Sequence, residues 1–320
     1  MNAQKVIDQC LKLSPCEVEI RRNELMKNHT TFKTGGKADF WLCPDGEGFI
    51  SFCTSLLNLT HKEKIPLFIL GGGANIVVSD KGIRGIVLDM SAWTGESVWT
   101  LCKEEENEII FKSGTSIDEA ADTACAENLS GFEFLAGMPG TIGGAVWMNA
   151  RCYSSEVADI LRWVEILYRE NDEYIIKRID VKKSEGFGYK KSPFQEMDCL
   201  ILSAAFKLKK GNKEKILLEM ENNREDRSKK GHYNFPSAGS AFKNNHDFGK
   251  PTGQIIDELG LKGLKKGGAQ IAPFHGNIVI NTGNAKASDI RALMNDVSAK
   301  VKKAAGFVLE PEILFIGDWS

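Results

Sequence analysis

The chain has 320 residues, 42% of them hydrophobic and 26% charged, with a net charge of -2. That balance fits a soluble globular protein of two or three domains, and the near-neutral charge argues against nucleic acid or an anionic membrane as partner. No apolar run approaches the ~18–20 residues that span a bilayer. The start, MNAQKVIDQCLKL, lacks a secretory leader's apolar stretch, so the expected location is the cytoplasm. Cys10, Cys16, Cys43, Cys53, Cys102, Cys125, Cys152 and Cys199 include no CxxC pair, and the five histidines are scattered. Neither a disulfide framework nor a metal site is expected.

In chain order, residues 47–60 read as a helix packed through Phe49, Phe52, Leu56 and Leu59. IPLFIL (65–70) reads as a buried strand that stops at glycines, and GIVLDM (85–90) as another. Residues 97–112 suggest a hairpin around the acidic KEEENE, and Ser116 opens a helix that runs to Leu129. The stretch 131–150 is apolar yet rich in glycine. Strands follow at 161–168, 173–181 and 199–208, and then a highly charged helix at 209–230 begins a new domain. Helices at 252–259 and 287–304 and strands at 277–281 and 312–316 complete the chain. Strands and helices in blocks argue for an α+β fold.

Two glycine segments stand out. LGGGANIVVSD sets three glycines directly after a strand, and GMPGTIGGA carries four around a proline. Glycine allows positive φ and lets a ligand approach main-chain N–H groups, and such nests bind phosphate. A plain tight turn is the alternative for either segment alone. Together they suggest one extended diphosphate, although neither is a Rossmann GxGxxG or a Walker loop.

TFKTGG, LGGGANIVVSD, EFLAGMPGTIGGAVWMNA, PSAGSAFKN, GGAQIAPFHGNIVINTGNAKASDI and LEPEILFIG occur in this order over nearly the whole chain. With these motifs the sequence resembles the UDP-N-acetylenolpyruvoylglucosamine reductase family of bacterial cell-wall flavoenzymes. The resemblance implies an α+β FAD-binding fold of the vanillyl-alcohol-oxidase type in two subdomains (1–70 and 71–208). A C-terminal α+β substrate domain (209–320) follows, its last strand a candidate to return to the FAD part. The short chain between Tyr189 and the strand at 199 is similar to the family's subtype without an inserted substrate loop. The implied cofactors are FAD and NADPH. The implied FAD contacts are Gly71, Gly72, Gly73, Ala74 and Asn75, with Gly137, Pro139, Gly140, Thr141, Gly143 and Gly144. The implied substrate is a UDP-sugar enolpyruvyl ether, bound by a monomer.

The resemblance also implies roles. Hydride passes from the flavin to the enolpyruvyl carbon, and Ser240, among small neighbours, matches the proton donor. Serine is a poor acid, so it serves only when aimed at a basic carbon in a dry site. Glu312 matches a glutamate that hydrogen-bonds the enolic carboxylate in its protonated form, which burial would favour. On periodicity alone, Glu310 and Glu312 would share one face of a strand. The family's third residue is an arginine, and here Lys190 stands in its place. Lysine keeps the charge but loses the two-pronged grip on a carboxylate. Arg151, where the family has a small residue, is the alternative cation. Arg224, Arg227, Lys243, Asn244 and His275 are implied substrate contacts, although a charge run on a helix is usually a solvated face. Two other readings are a carbohydrate oxidase of the same fold and a catalytically weakened nucleotide-sugar-binding homologue.

Overall fold

The apolar spacing at 49, 52 and 56 produces its helix, Phe49–Glu63, with all three side chains buried. The computed structural model describes residues 2–95, 98–101 and 106–320. The chain divides into two units. The first comprises Met1–Arg22, Phe40–Gly72 and Gly85–Arg224, and the second Asn23–Asp39, Gly73–Arg84 and Glu225–Ser320.

In the first unit the Phe49–Glu63 helix packs beside an N-terminal helix, Ala3–Leu13, whose Val6, Ile7 and Cys10 are buried. The strand Leu67–Leu70 runs parallel to Ile83–Asp89 and ends at the first glycine segment. An antiparallel sheet follows the order Glu173–Asp180, Leu161–Glu170, Cys199–Lys210, Glu106–Lys112, Val98–Leu101. The last two pair antiparallel as expected, with Val98 opposite Ile110; residues 103–105 of KEEENE lie outside the described residues. The helix Ile117–Ala126 covers this sheet. Ser116 caps it by accepting from the Glu119 N–H (3.2 Å). Ile117, Ala120, Ala121 and Ala124 share a core with Phe111, Phe132 and Phe206. The rings of Phe132 and Phe206 meet edge to face, 4.9 Å apart.

The charged helix spans Lys213–Lys229, and the unit boundary falls within it, after Arg224. In the second unit, Lys265–Lys266, Ala269–Ile271 and Val279–Asn281 form a small antiparallel sheet. The helix Ala287–Ala305 buries Ile290, Leu293, Met294, Val297 and Val301 in a core with Phe242, Ile255 and Ile256. Asp80 closes this helix's N-terminus, accepting from the N–H groups of Ala287 (2.8 Å) and Ser288 (2.9 Å). Leu314–Ile316 runs parallel to Ile76–Val78, which joins the segment after the first glycines to the C-terminus.

Candidate active site

The serine segment of the second unit lies between two other segments. Ser240 pairs across an antiparallel bridge with Ile278, and Phe242 does so with Pro311. The Glu312 N–H donates to the Ala241 carbonyl and the Lys243 N–H to that of Glu310, both at 2.9 Å. Ser240 and Glu312, 72 residues apart in sequence, are therefore brought onto neighbouring backbone. Asn75 reaches the same place: its side-chain N–H donates to the Glu312 carbonyl (3.1 Å), and the Leu314 N–H donates to the Asn75 carbonyl (3.0 Å).

The periodicity reading of the two glutamates needs correction. Glu312 is buried at 7% exposure, whereas the Glu310 side chain is 68% exposed and pairs with Lys243. No strand exists at 310–312; the regular strand starts at Leu314, so alternation does not apply.

The remaining candidates of this unit are Asn244, Arg227 and His275. The Asn244 side chain accepts from the Thr252 N–H (2.9 Å) at the start of the helix Thr252–Glu258. Arg227 is buried. The His275 ring lies 6.2 Å from that of His232, and its Nδ1 accepts from the Asn277 N–H (3.1 Å). Burial, and then Lys230, hold the His275 ring below its ordinary pKa.

The two glycine segments meet in the first unit. A Cβ on Gly72 would stand 2.7 Å from the Gly140 Cα, and one on Gly71 2.7 Å from the Thr141 hydroxyl. Such backbone-to-backbone approach leaves a face without side chains, the kind of surface a dinucleotide diphosphate can reach. The residues fit FAD in that respect. Gly73, by contrast, belongs to the second unit with Ala74 and Asn75. It has φ +61°, and a Cβ there would strike the His29 carbonyl at 2.0 Å. This glycine is required by its packing on the TTFKTGG segment.

Pro139 and Gly140 lead into a six-residue helix, Ile142–Trp147, that contains Gly143 and Gly144; Thr141 caps it, its hydroxyl accepting from the Gly144 N–H (3.4 Å). The Gly137 N–H donates to Asp118 (2.8 Å), and Arg224 grips the same carboxylate oxygen (2.8 Å) and Asp122 (2.6 Å). Arg224 thus holds the glycine loop through Asp118, a link the sequence did not suggest.

Lys190 sits in a tight turn closed by the Gly188 and Lys191 main chains, at φ +57°. Asn149 secures that turn by donating to the Gly188 carbonyl (2.9 Å), and Gln195 by donating to the Lys190 carbonyl (3.1 Å). The Arg151 guanidinium lies 5.8 Å from the ring centre of Tyr189, the neighbouring residue of the turn. The two cations that replace the family arginine in the sequence argument are therefore close in the fold. Arg151 also faces Glu156 at 3.7 Å.

Residues 53–175 match the family model described as "FAD binding domain", and residues 231–316 match "UDP-N-acetylenolpyruvoylglucosamine reductase, C-terminal domain". The chain is 40% identical over 305 residues to the UDP-N-acetylenolpyruvoylglucosamine reductase of Treponema denticola, covering 92% of each. It is 42% identical over 290 residues to that of Borrelia garinii, covering 91% of each. The crystal structure of the Thermus caldophilus reductase superimposes with a TM-score of 0.72 at 31% identity, covering 94% of this chain and 99% of that one. Similarity of this extent, carried through both the glycine segments and the serine segment, places the chain in the UDP-N-acetylenolpyruvoylglucosamine reductase family.

Proposed function

We propose that the chain reduces UDP-N-acetylglucosamine enolpyruvate to UDP-N-acetylmuramate for peptidoglycan synthesis, with Ser240 as proton donor. The observation that carries the residue assignment is the pairing of the Ala241–Lys243 backbone with Glu310–Glu312. The chemistry supplied by FAD, when bound, is transfer of reducing equivalents from NADPH to the enolpyruvyl group. Gly71, Gly72, Gly137, Pro139, Gly140, Thr141, Gly143 and Gly144 of the first unit would hold it. Ser240 Oγ gives its proton to the carbon beside the substrate carboxylate. Glu312 hydrogen-bonds that carboxylate, and one of two cations, Lys190 or Arg151, polarises it. Arg227, Lys243, Asn244 and His275 bind the nucleotide sugar. Arg224 was a further candidate, and its ties to Asp118 and Asp122 favour a role in holding the loop. The seven cysteines among the described residues are all free thiols, which suits a reducing cytoplasm. Monomeric action is part of the same reading.

The purified protein should show a flavin spectrum that bleaches with NADPH and recovers anaerobically on adding the enolpyruvyl substrate. Ser240→Ala should still bleach but recover at least ~100-fold more slowly. Recovery that requires oxygen would refute the reductase reading in favour of the oxidase. Lys190→Ala and Arg151→Ala assign the cation. Turnover that survives the first substitution and is abolished by the second gives the role to Arg151; the reverse gives it to Lys190.

A further inference from the structure

Asn277 is 3% exposed and makes four hydrogen bonds, three of them to the serine segment. Its side-chain Oδ1 accepts from the Phe242 N–H (3.0 Å), and its Nδ2 donates to the Phe242 carbonyl (2.8 Å). Its own carbonyl accepts from the Ala241 N–H (2.8 Å). The fourth bond runs from its N–H to His275 Nδ1 (3.1 Å), which ties it to the HGN turn. One amide side chain therefore occupies both main-chain groups of a residue that is itself 1% exposed. It does so 35 residues away in sequence and two residues beyond Ser240.

The fit is chemical as well as geometric. A primary amide carries an acceptor oxygen and a donor NH2 side by side, so it can pair with the N–H and C=O of one residue as a neighbouring strand would. A truncated side chain leaves two buried polar groups unsatisfied, at a cost of about 1–3 kcal/mol each. The cheapest relief is a shift of the Ala241–Phe242 backbone, which carries Ser240 and the carbonyl that receives the Glu312 N–H.

We infer that Asn277 is a positioning residue for the proton-transfer step: it sets the place of the Ser240 hydroxyl by holding the peptide groups that follow it. The inference rests on the assignment of Ser240 as proton donor. A misplacement of about 1 Å at a reacting group costs on the order of 100-fold in rate.

The test uses the FAD-loaded full chain and reads two rates by flavin absorbance, bleaching by NADPH and anaerobic recovery with the enolpyruvyl substrate. Hydrogen exchange at the Phe242 amide and Tm are measured on the same samples. Asn277→Ala should leave bleaching within about twofold while recovery falls about 10- to 100-fold. Exchange at the Phe242 amide should accelerate. Asn277→Asp keeps an acceptor for the Phe242 N–H but sets a carboxylate oxygen against the Phe242 carbonyl, so its recovery rate should fall at least as far as that of Asn277→Ala. Wild-type recovery in Asn277→Ala, with recovery collapsed in Ser240→Ala, would overturn the inference and leave the serine's role intact. Normal recovery in Ser240→Ala would overturn the serine's role and the inference with it. Equal loss of both rates with a lowered Tm in both Asn277 variants would mark Asn277 as a folding residue and overturn the positioning role.

Discussion

Gly72→Ala tests whether the contact between the glycine segments supports the cofactor. The added Cβ would lie 2.7 Å from the Gly140 Cα, 3.1 Å from its carbonyl carbon and 3.4 Å from the Thr141 nitrogen. All three are backbone atoms, so no rotamer change gives relief. Carbon atoms rest at about 3.5–4.0 Å, so the segments must part by roughly 1 Å. Overpacking of this kind costs about 1–3 kcal/mol. If the joined segments bind FAD, the same energy appears as a loss of affinity of about 5- to 150-fold. Apoprotein titrated with FAD and followed by flavin fluorescence gives this directly, with Tm of the apoprotein in parallel. Gly144→Ala is the informative partner. Its Cβ would meet only the Thr141 hydroxyl, at 3.6 Å, and alanine is favoured over glycine in a helix by about 1 kcal/mol. It should leave apoprotein Tm unchanged or higher and weaken FAD only if the ligand approaches the bare main chain. Wild-type FAD affinity in Gly72→Ala would refute the reasoning about the contact.

Three further outcomes follow from single contacts. Asp80→Ala removes both acceptors at the start of Ala287–Ala305 and should cost about 0.5–2 kcal/mol, seen as a lower Tm in differential scanning fluorimetry with no change in FAD affinity. Arg224→Ala releases Asp118, and with it the Gly137 loop; flavin should dissociate more readily while KM for the nucleotide sugar stays constant, and a raised KM with firmly held flavin would return Arg224 to the substrate. Burial, then Arg227 and His275, pull the His232 pKa down to about 4 from 6.5. The unfolded chain then takes up this proton first, so the folded protein is fully stable above pH 6.5 and loses stability as pH falls towards 4. His232→Gln should flatten that part of the Tm profile.

Several elements with a strong period were legible in the sequence, whereas the helix Ala3–Leu13 and the strands Glu17–Leu25 and Lys37–Asp45 were not. Ser116, with alanines on one helix face, announced Ile117–Ala126, and the turn at Lys64 follows the apolar stripe of Phe49–Glu63. The helix Ala3–Leu13 was overlooked although Asn2 caps it, accepting from the Lys5 N–H (3.0 Å). The helix Ile142–Trp147 was hidden because six residues that include two glycines have neither period nor propensity. At the site, motif order nominated the candidate residues, and chain proximity could not supply their partners. Asp118 meets Arg224 across 106 residues, and Asn75 meets Glu312 across 237. Such pairings depend on tertiary closure, and no local pattern encodes them.

The same long-range closure suits Ser240 to the proton-donor role proposed for it. Its hydroxyl is surrounded in sequence by Gly239 and Ala241, which give no side-chain support. The support is applied to the backbone instead. Ser240 is bridged to Ile278, Ala241 is held by Asn277 and Glu312, and Phe242 is held at both main-chain groups by the Asn277 amide. With the main chain fixed on these sides, the hydroxyl retains χ1, with its three staggered wells, and the rotation of its O–H about the Cβ–Oγ bond. A weak acid gains most from such restriction, because its rate depends on how often the O–H points at the carbon it protonates.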